Sequence, residues 1–268
     1  MKTINIILSF LVLLLTSCKS TNLMVLSQQS YKKQIKKVTE TIKNNEPRLV
    51  DSTTVLFAPT VNFNLRKPNL VIIHHTAQDS IAQTIKTFQL QKTQVSAHYV
   101  IGTDGTIVQM LNDYLRSWHA GSGKWGKNTD INSTSIGIEL DNDGKELFSD
   151  AQIASLLKLL KNLKKDYNIP TANFIGHADI APTRKTDPSE LFPWKKLSEN
   201  GFGLWQNEPL PLVPIDFNAE QGLRIIGYDT TNLPAAIIAF KRHFIQTDLS
   251  NTIDDATKAT IYSIYLKQ

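Results

Sequence analysis

The sequence predicts an α/β protein, a mixed central β-sheet flanked by helices, with a second small all-α domain behind it. Three observations carry this expectation. Residues 69–75 read Asn-Leu-Val-Ile-Ile-His-His, an apolar, β-branched run of the kind found in strands buried on both faces. Ile153, Leu156, Leu157, Leu160, Leu163 and Tyr167 recur at helical spacing and form one apolar stripe. Residues 208–214 hold three prolines in seven positions, and helical spacing resumes beyond them. Strands and helices mixed in this order pack as helices on the faces of one sheet.

The chain has 268 residues, of which 41% are apolar and 20% charged. That apolar content excludes a disordered polymer, and no stretch has collagen or coiled-coil composition. Twenty-nine Lys+Arg against 24 Asp+Glu give a net charge of +5, spread along the chain rather than gathered in blocks. Nucleic-acid binding is therefore unmotivated, and a membrane or cell-wall surface is an equal candidate for such a balance.

Taken in order, the chain opens with Lys2 and then an apolar run over 4–15, broken only by Asn5 and Ser9. A spanning helix needs about 20 apolar residues, so this run has the dimensions of a secretory signal instead. It ends at Leu15-Thr16-Ser17-Cys18, and Cys18 is the only cysteine in the chain. A single cysteine excludes an intramolecular disulfide and a thiolate zinc cluster. The ending resembles a bacterial lipobox. That implies a signal peptide over 1–17, lipidation of Cys18, and a mature chain anchored by acyl chains worth roughly 0.8 kcal/mol per buried methylene. Lys19 and Ser20 are not acidic, which points to the outer membrane with the protein facing the periplasm.

Residues 18–54 are expected to be an N-terminal tether, with a charged helix over 28–45 whose stripe (Tyr31, Ile35, Val38, Ile42) is thin. The core begins near Val55, and 55–206 form the main domain. Within it, 80–92 has Ile81, Ile85 and Phe88 on one helical face. Strands over 98–101 and 106–111 flank Gly102-Thr103-Asp104-Gly105, a hairpin signal. Residues 135–140 alternate, with Ile136, Ile138 and Leu140 opposite Ser135, Gly137 and Glu139. Ser149 to Gln152 has the form of a capping box, Asn168-Ile169-Pro170 ends the helix behind it, 173–176 is a short strand and 181–194 is irregular. A Pro-rich linker over 207–216 leads to 217–268, whose stripes (Leu223/Ile226, Ala236/Ile237/Phe240/Phe244, Thr257/Ile261/Ile264/Tyr265) predict a helical domain near the lower size limit for independent folding.

Five of the six histidines, His74, His75, His98, His119 and His177, fall in the main domain, and His243 lies in the tail. His74 and His75 close the buried strand. His177 closes another and opens a loop with Asp179, Arg184, Lys185 and Asp187. Two imidazoles and a carboxylate make the open three-ligand set of a hydrolytic zinc site. With no cysteine in the fold, the third ligand is a carboxylate or another histidine. Spacing alone leaves open the alternative that these histidines are satisfied structural groups.

Five segments appear in a recognisable order: 71–77 (Val-Ile-Ile-His-His-Thr-Ala), 95–99 (Val-Ser-Ala-His-Tyr), 117–121 (Ser-Trp-His-Ala-Gly), 135–140 (Ser-Ile-Gly-Ile-Glu-Leu) and 176–188 (Gly-His-Ala-Asp-Ile-Ala-Pro-Thr-Arg-Lys-Thr-Asp-Pro), continued by Phe192-Pro193-Trp194. Together they resemble the zinc type-2 N-acetylmuramoyl-L-alanine amidases, in particular their AmiD-like lipoprotein branch. The resemblance spans about 70–205, and the tail is similar to a peptidoglycan-binding domain, although it lacks an Asp-Gly turn before Thr252-Ile253-Asp254.

The resemblance implies a zinc amidase fold and one catalytic Zn2+ held by His74, His177 and Asp187. It makes Glu139 the group that activates water, Lys185 the oxyanion stabiliser, and Trp118 and His119 a substrate-lining pair. His75 is not counted as a ligand, His98 is structural or stands one step behind the ligands, and Asp179 and Arg184 are candidates for ordering the loop. The implied reaction cuts the amide between N-acetylmuramic acid and L-alanine. The implied partners are peptidoglycan or muropeptides and, through Cys18, a membrane; no nucleic acid is involved and a monomer is expected. The rival readings are a non-catalytic muropeptide-binding lipoprotein, a zinc peptidase acting within the stem peptide, and a structural tether between wall and membrane.

Overall fold

The computed structural model describes residues 22–43, 49–50, 53–54, 65 and 67–268. The signal segment, Cys18 and the expected start of the core near Val55 lie outside them. The chain divides into Met1–Asn64 and Leu65–Gln268.

In the first unit, α1 (Asn22–Lys43) is followed by β1 (Leu49–Val50) and β2 (Thr53–Thr54), which pair antiparallel. The helix starts six residues ahead of the expected 28, because Asn22-Leu23-Met24-Val25-Leu26 holds no glycine or proline to stop it. Among the described residues no helix is long and apolar enough to cross a membrane.

The second unit is built on β3 (Leu70–His75), β4 (Tyr99–Ile101), β5 (Ile107–Gln109), β6 (Ser135–Leu140) and β7 (Phe174–Gly176), in the spatial order β5-β4-β6-β3-β7. All neighbours are parallel except β4 and β5, which form the hairpin the glycines announce. Gly105 takes φ 84° at its turn, a conformation open to glycine at no steric cost. The remaining helices are α2 (Ile81–Gln89), α3 (Ile131–Thr134), α4 (Asp150–Tyr167), α5 (His177–Ile180), α6 (Trp194–Glu199), α7 (Ala219–Ile226), α8 (Leu233–Phe244) and α9 (Asp255–Tyr265).

Alternation along the strands sorts side chains onto two faces. Val71, Ile73, Ile136, Ile138, Leu140 and Phe174 face α4 and α6, meeting Ile153, Leu156, Leu160, Leu163, Phe192 and Trp194 in one buried core. Burying each such side chain contributes roughly 1.5–3 kcal/mol. Leu70, Ile72 and Ile175 point the other way, against Ala120, Ile131 and Ile180.

Ser149 caps α4 by accepting a hydrogen bond from the Gln152 amide at 3.1 Å. The expected capping box is not completed. Gln152 turns its side chain inward and donates from Nε2 to the carbonyls of Ile101 (2.9 Å) and Asp141 (3.1 Å), tying the helix to the strand ends. The Ile101 carbonyl also accepts from the Asp141 amide at 2.9 Å, so Gln152 adds a second donor there and serves the Asp141 carbonyl as well.

The tail holds three α-helices, each capped by an Asn or Asp side chain (Asn218, Asn232, Asp254). Leu223, Ile226, Ala236, Phe240, Phe244, Ile261 and Ile264 form their core, with Trp125, Leu204 and Trp205 of the preceding region packed against it. Gln246 donates from Nε2 to the carbonyls of Glu190 (2.8 Å) and Phe192 (2.7 Å), and Lys124 pairs with Asp229 at 3.2 Å.

Candidate active site

Three parallel strands end side by side, at the carboxyl edge where open α/β sheets bind ligands. The register sets His74 on β3 directly beside Glu139 on β6, and Ile73 beside Gly176 on β7. Neighbours in register point to the same face, so His74 and Glu139 emerge together. His177 follows Gly176 as the first residue of α5. The Ala178 amide then donates to the Asp187 carbonyl at 2.7 Å, folding the 181–187 loop back over the strand ends. Arg184 holds that loop by donating to the carbonyls of Ala120 (2.6 Å) and Ser122 (2.7 Å).

The result is a tight triangle. His74 Nδ1, His177 Nδ1 and Asp187 Oδ2 stand 2.9, 3.1 and 3.0 Å apart, and all three residues are buried. They are the cluster of metal-capable side chains found among the described residues. His75, adjacent in sequence, belongs to the opposite face by strand alternation. There its Nδ1 accepts the Ser189 amide at 3.3 Å, and its ring fills the space beside Gly144, so it stays out of the cluster as expected.

The cluster fits a cation. His177 Nε2 donates to the Ala120 carbonyl at 3.0 Å, which leaves the Nδ1 lone pair facing its two neighbours. A tetrahedral ion with bonds of about 2.0–2.1 Å spaces its ligands roughly 3.3 Å apart, close to the observed triangle. Burial and the neighbouring His177 pull His74 down to about 4, so it is neutral near pH 7. Burial alone would raise Asp187, but its contacts with His177 and His74 reverse this and hold its carboxyl far below the usual range. Neutral imidazoles and an ionised carboxylate are the protonation states that bind a metal.

Glu139 is partly buried beside this triangle, and desolvation together with the Asp187 charge pushes its carboxyl up to about 8, against the opposing charge of Lys185. A carboxylate poised near neutrality suits proton transfer. Glu139, Lys185, Trp118 and the three clustered residues line one cleft of about 380 Å³.

Trp118 and His119, expected as a pair, differ in exposure. Trp118 is 49% exposed on the cleft rim, its backbone locked by reciprocal bonds with Ser96. His119 is only 8% exposed, with Nδ1 3.0 Å from His74 Nε2 and Nε2 3.0 Å from Ser135 Oγ. His98 is fully buried and satisfied by the Leu115 carbonyl, Ser117 and the Gly137 amide, matching a structural role.

Sequence patterns gave no sign of the partners of Asp179. This buried carboxylate accepts from the Gly176 amide (2.7 Å), from Tyr228 Oη (2.5 Å) and from His243 Nδ1 (2.7 Å). It thus ties α5 to the tail, and the His243 ring stacks on Trp194 at 3.8 Å.

Residues 64–190 match the family model described as N-acetylmuramoyl-L-alanine amidase. The N-acetylmuramoyl-L-alanine amidase AmiD of Escherichia coli is 33% identical over 222 residues, 71% of this chain and 79% of that protein. The chain belongs to this amidase family. Two solved structures align with most of this chain and share its mixed α/β architecture. One is the E. coli AmiD complex with anhydro-N-acetylmuramic acid-L-Ala-D-gamma-Glu-L-Lys, with TM-score 0.69, 29% identity and coverage of 78% of this chain and 93% of that one. The other is AMPDH3 of Pseudomonas aeruginosa with an anhydromuramic pentapeptide, with TM-score 0.67, 27% identity and coverage of 79% and 96%.

Proposed function

We propose that the chain hydrolyses the amide between N-acetylmuramic acid and the L-alanine of peptidoglycan stem peptides, using one zinc ion held by His74, His177 and Asp187. The observation that carries this reading is the triangle of two imidazole nitrogens and a carboxylate oxygen at 2.9–3.1 Å beside a partly buried glutamate, in a chain of the amidase family. The muramyl peptides bound by the relatives supply the substrate class.

When bound, zinc supplies Lewis-acid polarisation of the scissile carbonyl and makes the attacking water more acidic. Glu139 takes the proton as the water oxygen bonds to the lactyl carbonyl carbon, then returns it to the departing L-alanine nitrogen as the C–N bond breaks. Lys185 faces the carbonyl oxygen as it gains charge; one such donor commonly accounts for about 10²–10³ in rate. The exposed Trp118 offers an apolar wall to the substrate at the cleft mouth.

Mass spectrometry of muropeptides incubated with the zinc-loaded chain tests this. Free stem peptides and peptide-free sugars are expected. Cuts inside the peptide would replace the reading with a zinc peptidase, and intact muropeptides with a binding protein.

The organisation we propose around this activity starts with removal of 1–17 and lipidation of Cys18, followed by a tether to residue 54, the amidase domain over 55–206, a Pro-rich linker over 207–216 and a peptidoglycan-binding segment over 217–268. The mature chain is a monomer on the periplasmic face of the outer membrane. Its support is the charged start, the apolar run and the lone cysteine. A Cys18→Ala protein is expected to leave the membrane fraction; full retention would reject the anchor. Binding of the full chain to insoluble peptidoglycan in the presence of a chelator is the expected sign of the tail's role, and its absence would remove that role.

A further inference from the structure

His119 reaches the cleft wall, but nearly all of its ring is buried and its contact with the metal cluster is on the far side of His74, at Nε2. Its ring is packed between His74 (centroids 5.1 Å, 90°) and His98 (6.1 Å, 68°). The strand below makes room for it. A Cβ on Gly137 would lie 2.4–2.7 Å from three atoms of the His119 ring, so only glycine is compatible at that point of β6. The backbone is held as well, because Asn132 Oδ1 accepts from the amides of both His119 (3.1 Å) and Ala120 (2.9 Å).

The hydrogen bonds around this ring have a direction. The Ile131 carbonyl can only accept, so the Ser135 hydroxyl spends its one proton there, at 2.6 Å. Ser135 Oγ must then accept from His119, so His119 carries its proton on Nε2. That leaves a lone pair on His119 Nδ1, which accepts from His74 Nε2–H at 3.0 Å. With its proton on Nε2, His74 presents the Nδ1 lone pair to His177 Nδ1 and Asp187 Oδ2. The reverse arrangement would set two lone pairs against each other between Ser135 and His119 at 3.0 Å, and would aim a proton from His74 into the ligand triangle.

We propose that His119 is a positioning residue: the relay from His74 through His119 and Ser135 to the Ile131 carbonyl holds His74 in the one tautomer that can ligate a metal. This rests on the zinc reading above and adds to it, because it assigns His119 a task other than lining the substrate. Groups behind a ligating histidine fix its tautomer and ring orientation, and their loss typically costs 10–100-fold in metal affinity.

The test uses the full-length chain. In the zinc-stripped protein, long-range ¹H–¹⁵N spectra of the imidazole rings are expected to show both His74 and His119 protonated on Nε2. His119→Phe, which keeps a planar ring but offers no acceptor, is expected to bind zinc about 10–100-fold more weakly in chelator competition. His119→Asn, whose amide oxygen falls near the Nδ1 position, is expected to recover most of that loss. Ser135→Ala keeps the fold's small side chain and is expected to give mixed tautomers at both histidines.

Protonation of His74 or His119 on Nδ1 in the unaltered protein would overturn the relay. So would unchanged zinc affinity in both His119→Phe and Ser135→Ala. An unaltered chain that bound no zinc would count against the zinc reading instead, and the ring spectra of the metal-free protein would still decide the relay.

Discussion

Asp187→Ala protein is expected to lose zinc and hydrolysis together. The substitution removes the only anionic ligand and leaves two neutral imidazoles, so affinity should fall by more than about 10²-fold, beyond the loss typical of a group one step behind a ligand. Zinc content after dialysis, set beside the rate of stem-peptide release, checks this; stoichiometric zinc in the variant would remove Asp187 from the ligand set. The unaltered site carries its own pH signature. His74 is held near 4 by burial and by His177, below the 6.5 of a free imidazole. Protons therefore compete poorly for its lone pair, and zinc should stay bound as the pH falls below 6.5. The unfolded chain takes up that proton first, so the metal-free fold loses stability as the pH falls from 6.5 toward 4.

Glu139→Gln is expected to separate the two properties that Asp187→Ala removes together. Zinc affinity should change little, because Glu139 is not part of the ligand triangle, while the rate should drop by about 10²–10⁴, the usual contribution of a positioned proton acceptor. Full activity in this variant would remove Glu139 from the base role. Stability moves the other way. A carboxyl raised to about 8 is neutral in the metal-free fold when the unfolded chain has already ionised, so its penalty grows as the pH rises from about 4.5 through 8. The glutamine variant should melt with the unaltered protein near pH 4 and above it near pH 8, by as much as a few kcal/mol.

What the sequence disclosed about this site depended on range. The strand 69–75, the alternation at 135–140 and the α4 stripe are local patterns, and all three became the elements expected of them. The same alternation explains why His74 and Glu139 share a face while His75 leaves it. The choice of Asp187 among the loop carboxylates came from the family resemblance, because the nine residues between it and His177, one short helical turn and then irregular chain, have no periodicity to read.

Long-range partnerships were invisible. Gln152 looked like half of a cap and instead serves two strand-end carbonyls. His119 does line the cleft, but its contacts with His74 and Ser135 left no local pattern, and only Gly137, a glycine inside a strand, hinted that another group approaches closely there. Asp179 was expected to order its own loop. Its partners Tyr228 and His243 stand 49 and 64 residues away, beyond any spacing argument.

That carboxylate has a consequence for how the molecule comes apart. Two residues from His177, it is shared between the ligand-bearing turn and, in the tail, Tyr228 just beyond α7 and His243 on α8. Peeling the tail away would leave it with one backbone amide, and would bare Trp125, Leu204 and Trp205 to water. Returning apolar surface to water costs about 25 cal/mol per Å², and an ordinary domain is stable by only about 5–15 kcal/mol. The proline-rich stretch at 208–214 is thus a strap joining parts of one cooperative unit. The metal corner and the tail melt together, and a chain cut at that stretch would not leave a sound enzyme behind.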